Sequence, residues 1–459
     1  MIFRLLCIPW THSRRRATLA IDDDRAYPDK HASRFPVEVF ENIIDMLYSL
    51  FLVDRVENTR ALHRCALVCR AWRVRSQRNL FYSVVLHDLE ALKKFSAVLD
   101  NAPHLCEYVY EVTLTGRTLH TTASPLSLLP IALRGKLPKL QEVIIIRVRE
   151  DEDWYPRASE LESAKSLQYL PLHPRFSLYF SAFTTVSRLY IMDITFGHFN
   201  DFARMITSLP ALQLLECTRV RCVALGPLPF SMRSRADEIH APARPFAPNL
   251  QELRLWSVDI HCVQRLVSAC GPRLRELAVS MPLFHDAEMV LPGDPTAEHT
   301  VGVDLSLCST LERLDILLRL ELITEGQSLD KLKAMLDSWD SEVPRRRIYL
   351  HAYPPSAFTR QGFADLIGTV GRVLEELFDD SSAPPSGDGE VGEHGRRWDI
   401  CVDLYDWEVW RGWWHTHVQK CFPTLAKSHG LGMEPKPPPS DQFKWKDSGA
   451  LRPILTSTT

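Results

Sequence analysis

The sequence predicts a mixed α/β chain: a short helical unit followed by a long run of strand-plus-helix units. Three observations predict it. Residues 34–82 carry apolar side chains at helical spacing. A short pattern, apolar-x-x-apolar-x-apolar, then recurs six times between Val109 and Ile316. Stretches of helical period separate several of these copies. At 459 residues the chain is also too long for one small core.

The helical unit opens at Arg34-Phe35-Pro36-Val37-Glu38-Val39. Proline suits the first helical position, where its missing N–H has no partner to lose. Glu38 meets the positive end of the helix dipole. Val39, Phe40, Ile43, Ile44, Leu47 and Phe51 follow at helical spacing. That stripe is wider than one buried face of a surface helix requires. Tyr48–Thr59 reads as a long connection, and Asn58 or Thr59 is placed to cap a second helix. Leu62, Cys65, Val68, Cys69 and Trp72 recur along it at three and four residues. Arg70, Arg73, Arg75 and Arg78 fall largely off this stripe, and Ser83–Leu86 reads as a strand. Periodicity alone is equally compatible with a small helical subdomain that buries its own core.

The residue string says more than the period does. Phe35-Pro36-x-Glu38-Val39, Ile43-Ile44, Leu47, the run Leu67–Arg73 and Leu80-Phe81 together resemble the F-box motif, with Phe35 where that family usually has leucine. Cys65-Ala66-Leu67-Val68-Cys69-Arg70-Ala71-Trp72 is similar to the Cys-x-x-Val-Cys-Arg-x-Trp pattern of fungal-type F-box proteins. The resemblance covers about a tenth of the chain. It implies a three-helix F-box that lays apolar side chains against the Skp-type adaptor of a cullin–RING ubiquitin ligase. The adaptor-binding residues it implies are Phe35, Pro36, Val39, Ile43, Ile44, Leu47, Leu62, Leu67, Val68 and Trp72. A wide apolar stripe then has a use, because a large exposed apolar patch marks an interaction site.

The recurring pattern reads Val109-x-x-Val112-x-Leu114, Leu140-x-x-Val143-x-Ile145, Val186-x-x-Leu189-x-Ile191, Leu250-x-x-Leu253-x-Leu255, Leu274-x-x-Leu277-x-Val279 and Leu311-x-x-Leu314-x-Ile316. Leu212-x-x-Leu215 is a shorter copy. The steps from Leu189 through Leu215, Leu253 and Leu277 to Leu314 are 26, 38, 24 and 37 residues. The long steps hold insertions, Arg221–Pro248 and Pro282–Asp304. Phe199–Ser208 and His261–Cys270 are candidate helices between strands. Strand plus helix per unit resembles an irregular leucine-rich repeat that lacks the usual asparagine after the strand. It implies an α/β solenoid with leucines in one stacked core and a concave sheet open to protein partners. Without it the pattern is that of an ordinary α/β domain.

The divisions expected are a flexible leader at 1–33, an F-box-like domain at 34–82 and a leucine-rich-repeat-like domain at 83–350. A C-terminal repeat or cap region follows at 351–431, with a linker at 381–395 rich in Gly, Pro, Asp, Ser and Glu. A disordered tail is expected at 432–459. Met1–Trp10 is apolar but too short to span a bilayer. Arg14–Arg16 follow it, whereas a secretory signal carries its charge first. The scattered 11 cysteines, an odd number, read as reduced thiols of a cytoplasmic or nuclear protein.

Other chemistry is sparse. Trp398, Trp407, Trp410, Trp413 and Trp414 read as an end cap for the last repeat, or as a partner anchor. Asp399–Leu404 alternates like a strand, and Asp406 is placed to cap a helix after it. His415, His417 and Cys421 offer metal ligands, but histidines two apart on a helix face different ways, so no metal is expected. Net charge is −3 and the basic runs are short, which gives nucleic acid no support. Hydrolase, kinase, Walker A, dinucleotide and zincin signatures are all missing from the sequence. No motif promotes an enzyme, and neither catalysis nor a cofactor is expected. What the F-box resemblance and the repeats imply is a substrate-recognition adaptor of an SCF-type E3 ubiquitin ligase. The F-box-like unit is then expected to bind the Skp-type adaptor and, through it, cullin, and the repeats a protein substrate that no motif identifies. The alternative is a repeat-built interaction scaffold unconnected with ubiquitination.

Overall fold

The computed structural model describes residues 36–48, 52–115, 124–147, 169–170, 172, 175–224, 246–281, 303–319, 326–339, 345–353, 360–381, 397–404, 413, 416–417, 420–423 and 431–432. Three helices open it: α1 (Val37–Met46), α2 (Leu52–Val68) and α3 (Arg70–Tyr82). Pro36 is the N-cap of α1, with φ −56° and ψ 150°, one residue before the position expected of it. α2 begins at Leu52, so Asn58 and Thr59 lie inside it rather than at its cap. Both residues cost a helix interior only tenths of a kcal/mol, roughly 0.5 each, which packing overrides.

α3 runs into β1 (Ser83–Leu86) with no intervening loop. Phe81 packs on the main core. The Tyr110 amide donates to the Tyr82 carbonyl at 3.0 Å, and the two rings stack with centroids 5.0 Å apart. The helices are thus seated on the first edge of the sheet.

Twelve more strands follow: β2 (Glu111–Thr115), β3 (Glu142–Ile146), β4 (Arg188–Met192), β5 (Thr195–His198), β6 (Leu214–Thr218), β7 (Arg221–Ala224), β8 (Glu252–Trp256), β9 (Glu276–Met281), β10 (Arg313–Arg319), β11 (Arg345–Tyr353), β12 (Arg397–Leu404) and β13 (Leu431–Gly432). Eleven strands form one sheet in the order β1-β2-β3-β4-β6-β8-β9-β10-β11-β12-β13; β5 and β7 pair separately. Every pairing is parallel, and each strand of the large sheet adds beside the one before it. Parallel strands need a crossover. Helices α4 (Leu89–Asn101), α5 (Pro125–Ala132), α6 (Phe176–Phe180), α7 (Phe199–Thr207), α8 (Ile260–Cys270), α9 (Gly326–Asp337) and α10 (Arg360–Ser381) lie in the crossovers.

The register explains the sequence pattern. Val84, Val112, Val143, Leu189, Leu215, Leu253, Leu277, Leu314 and Ile348 stand side by side across nine strands. Two residues on, Leu86, Leu114, Ile145, Ile191, Cys217, Leu255, Val279, Ile316 and Leu350 make a second row. Strand side chains alternate faces, so both rows point the same way. All are buried in one core with Phe95 of α4, Phe202 of α7, Leu266 of α8, Leu332 of α9 and Phe363 of α10. The first apolar residue of each copy, Val109 through Leu311, is buried in the same core. The short copy at Leu212 is completed by Cys217, a small buried hydrophobe whose thiol burial pushes well up.

Asp193, Arg219 and Ser257, the residues just after β4, β6 and β8, take φ values of 58°, 52° and 54°. Residues of three different types thus take up the left-handed turn that ends the strand. The next residues, Ile194, Val220 and Val258, are buried. Asp259 caps α8 by accepting from the His261 and Cys262 amides at 2.9 and 3.2 Å. The division expected at residue 350 falls inside β11, and the sheet continues through it. Among the described residues no helix is long and apolar enough to cross a membrane.

Candidate functional site

α1 and α3 are held together by polar contacts along one line. Arg75 Nε donates to Asp45 Oδ1 at 2.7 Å, and a terminal nitrogen reaches Oδ2. Asn79 Nδ2 donates to the Ile44 carbonyl and to Asp45 Oδ1, each at 3.1 Å. The Arg75 hydrogen bond, more than any other contact, holds the Asp45 carboxyl below the usual carboxylate range. Phe40 and Trp72 pack with ring centroids 5.2 Å apart.

This seating gives α1 two apolar stripes. Phe40, Ile44 and Leu47 turn inward. Val39, Ile43 and Met46 turn out, at 38%, 50% and 81% exposure. Among the described side chains of α2 and α3, the most exposed large apolar ones are Leu67, Val68 and Val74, at 72%, 63% and 56%. The core of the unit is Ile44 and Leu62, at 1% and 3%.

The expected contact set therefore divides. Pro36, Val39, Ile43, Leu67 and Val68 are exposed, while Leu47 and Trp72 are half-buried. Ile44 and Leu62 are corrected from contact to core, because both pack inside the unit and offer a partner no surface. Phe35 lies outside the described residues. Met46 and Val74 join the exposed set. Met46 stands three residues after Ile43 and seven after Val39, so helical spacing could have found it. Val74 is hidden among arginines and gave no such signal.

A second surface is the sheet face opposite the core. Glu111, Glu142, Arg188, Leu214, Glu252, Glu276, Arg313 and Arg347 form one row across eight strands; Thr113, Ile144, Tyr190, Glu216, Arg254, Ala278, Asp315 and Tyr349 form the next. Arg254 lies 3.6 Å from Glu216 and 3.2 Å from Glu252. Arg313 lies 2.8 Å from Asp315 and 3.9 Å from Glu276, with its guanidinium 4.3 Å over the Tyr349 ring. Burial, then the neighbouring Glu111 carboxylate, pushes Glu142 up to about 7. Trp256, Ala278 and Leu317 make a small apolar cluster within this face.

In the C-terminal zone Trp413 packs against the main core, its ring 6.1 Å from that of Phe363. His417 stacks on Trp413 at 4.6 Å, and its Nδ1 is 2.9 Å from the Trp413 carbonyl. Cys421 donates to the Ala364 carbonyl at 3.6 Å. Asp406, His415 and the side chains of Trp398, Trp407, Trp410 and Trp414 lie outside the described residues. Among the described residues no three His, Cys, Asp or Glu side chains are grouped to hold a metal. The nine cysteines whose side chains are described are free thiols, and burial pushes Cys308 up to about 12.

No family model and no curated protein matches the chain.

Proposed function

We propose that the chain is a substrate-recognition adaptor of an SCF-type cullin–RING ubiquitin ligase, with α1–α3 as an F-box-like docking unit. The observation that carries this reading is the exposure of six large apolar side chains on so small a unit: Val39, Ile43, Met46, Leu67, Val68 and Val74. A self-contained helical subdomain would gain stability by burying such side chains, roughly 1.5–3 kcal/mol for each large one. The sequential parallel sheet with stacked apolar rows supports a leucine-rich-repeat-like solenoid as the second half. Its charged outer face is the surface offered to a protein substrate. On this reading the chain acts by holding substrate beside the ubiquitin-charged partner, raising its effective concentration. The compartment proposed is cytoplasm or nucleus.

One observation favours a scaffold without ligase linkage. α3 passes directly into β1, so the helices also close the first end of the sheet. Capture of the purified Skp-type adaptor by the full chain separates the two. Stoichiometric binding is expected; its absence would leave α1–α3 as an end cap and the protein as a repeat scaffold.

A further inference from the structure

We infer that Cys222 on β7 and Cys262 on α8 are an oxidisable pair. Cys222 meets a hydroperoxide, and Cys262 closes the product to a disulfide that joins two successive units of the sheet. Such a pair would serve an adaptor and a repeat scaffold alike.

Both residues are free thiols. Their side chains share a hydrogen bond, donated by Cys262 to the Cys222 sulfur. Two separate elements bring them together. Cys222 stands in register beside Phe196 of β5, half-buried at the edge of the main core. Cys262 lies in the first turn of α8, where the Asp259 cap accepts from its amide at 3.2 Å. Its side chain is fully buried. Neither sulfur has to cross the fold to reach the other, and only one of them is open to solvent. A cysteine that merely fills space needs no second thiol at its sulfur. An accessible thiol with a resolving thiol beside it is the arrangement of a redox sensor.

The surroundings assign the roles. The hydrogen bond to Cys222, and then burial, push the Cys262 thiol well above its ordinary range. The reacting form of cysteine is the thiolate, so Cys262 cannot lead. Cys222 gives its proton to solvent and its sulfur attacks one oxygen of the hydroperoxide. The O–O bond breaks, and the leaving oxygen takes a proton from solvent. Cys222 is then a sulfenic acid. The Cys262 sulfur attacks it next. The S–S bond forms, the S–O bond breaks, and the departing hydroxide leaves with the Cys262 proton as water. The two sulfurs have together passed two electrons to the peroxide. The Arg265 charge eases the loss of the Cys262 proton, and Asp259 opposes it. Cys217 on β6 is near enough to feel a charge on Cys262, and it is the competing partner. In a reducing compartment the bond would be transient, as a signal requires.

The test treats the reduced full chain with hydrogen peroxide, blocks the remaining thiols with N-ethylmaleimide and identifies non-reduced peptides by mass spectrometry. A Cys222–Cys262 cross-linked peptide is expected, the two thiols being lost together and restored by dithiothreitol. Cys262→Ala should leave Cys222 as a sulfenic acid that dimedone traps. In Cys222→Ala the Cys262 thiol should survive the same dose. Wild-type Cys222 running on to sulfinic acid without a cross-link would overturn the inference. So would a cross-link that forms only in urea, or native pairing of Cys262 with Cys217. Cys222 left untouched at a dose that oxidises the exposed Cys69 would overturn it as well. The cross-link is read on the unaltered chain, so the decision does not depend on how either variant folds.

Discussion

Arg75 on α3 grips the Asp45 carboxylate on α1 with two nitrogens at once, and Asn79 holds the neighbouring Ile44 carbonyl. This cluster sets the rotation of α1, and with it which isoleucine faces in. Asp45→Ala is expected to destabilise the helical unit by about 1 kcal/mol at neutral pH, a modest figure because both side chains are partly solvated. The Asp45 carboxyl lies below its ordinary range in the folded chain, with the Arg75 bond as the main cause. Its contribution is therefore present above the unfolded value, about 3.9, and is lost as pH falls through the lower folded one. Urea unfolding of the two proteins should show a gap at pH 7 that narrows below about pH 4.

Adjacent isoleucines should respond in opposite ways. Pro36→Ala with Ile43→Asp places a charge on the exposed stripe and leaves the fold intact, while adaptor capture is abolished. Ile44→Asp puts an unpaired charge into the core and is expected to cost about 3 kcal/mol or more, unfolding the helical unit. Circular dichroism together with adaptor capture distinguishes the two. Retained capture by a folded Ile43→Asp chain would remove α1 from the interface.

Glu142 gives a pH effect of opposite sign to Asp45. Its folded value is raised to about 7 by burial and by Glu111, so the folded state favours the protonated form. Stability from this group is full below its unfolded value and falls as pH rises through 7. Glu142→Gln is expected to stabilise the chain on the order of 1–3 kcal/mol at pH 8 and to change little near pH 4. Denaturation midpoints at the two pH values are the measurement.

Two glycines three residues apart on α10 should also diverge. A Cβ on Gly368 meets nothing within 4 Å. Gly368→Ala is expected to stabilise the helix by about 0.5–1 kcal/mol. A Cβ on Gly371 would overlap the Cys421 carbonyl oxygen and press on the Phe422 ring at 3.2 Å. Gly371→Ala should then destabilise by roughly 1–3 kcal/mol, because the segment bearing buried Phe422 must move. Melting temperatures shifting in opposite directions would bear this out. A neutral Gly371→Ala would mean that the segment yields easily.

The strands were the most legible part of the sequence. The spacing of Leu250, Leu253 and Leu255 reports a face that is buried whatever lies beyond it, since alternation is a local property of the pleat. Ile348 and Leu350 belong to the same two rows but were not singled out, because arginines at 345–347 stand where the leading apolar residue would be. Cys217 was missed for a related reason: cysteine looks chemical in a sequence and behaves as a small hydrophobe in a core. α2 was read as starting too late, because Asn58 and Thr59 are good caps in isolation and a cap is decided by where the preceding chain turns.

The sequence by itself determined the mixed α/β class, most of the strand positions with their buried residues, and a helical unit with more apolar surface than it could hide. Only the tertiary structure decided which of that surface faces out. Val39, Ile43 and Met46 form one apolar stripe of α1; Phe40, Ile44 and Leu47 form another, about 100° around the same helix. Periodicity is blind to that choice, since either stripe could have packed inward. Arg75 and Asn79, 30 and 34 residues further along the chain, make it by anchoring Asp45. The charged ladder on the sheet was invisible for the same reason. Glu142 and Arg188 look unremarkable in sequence, and only strand pairing brings residues from distant segments into one row.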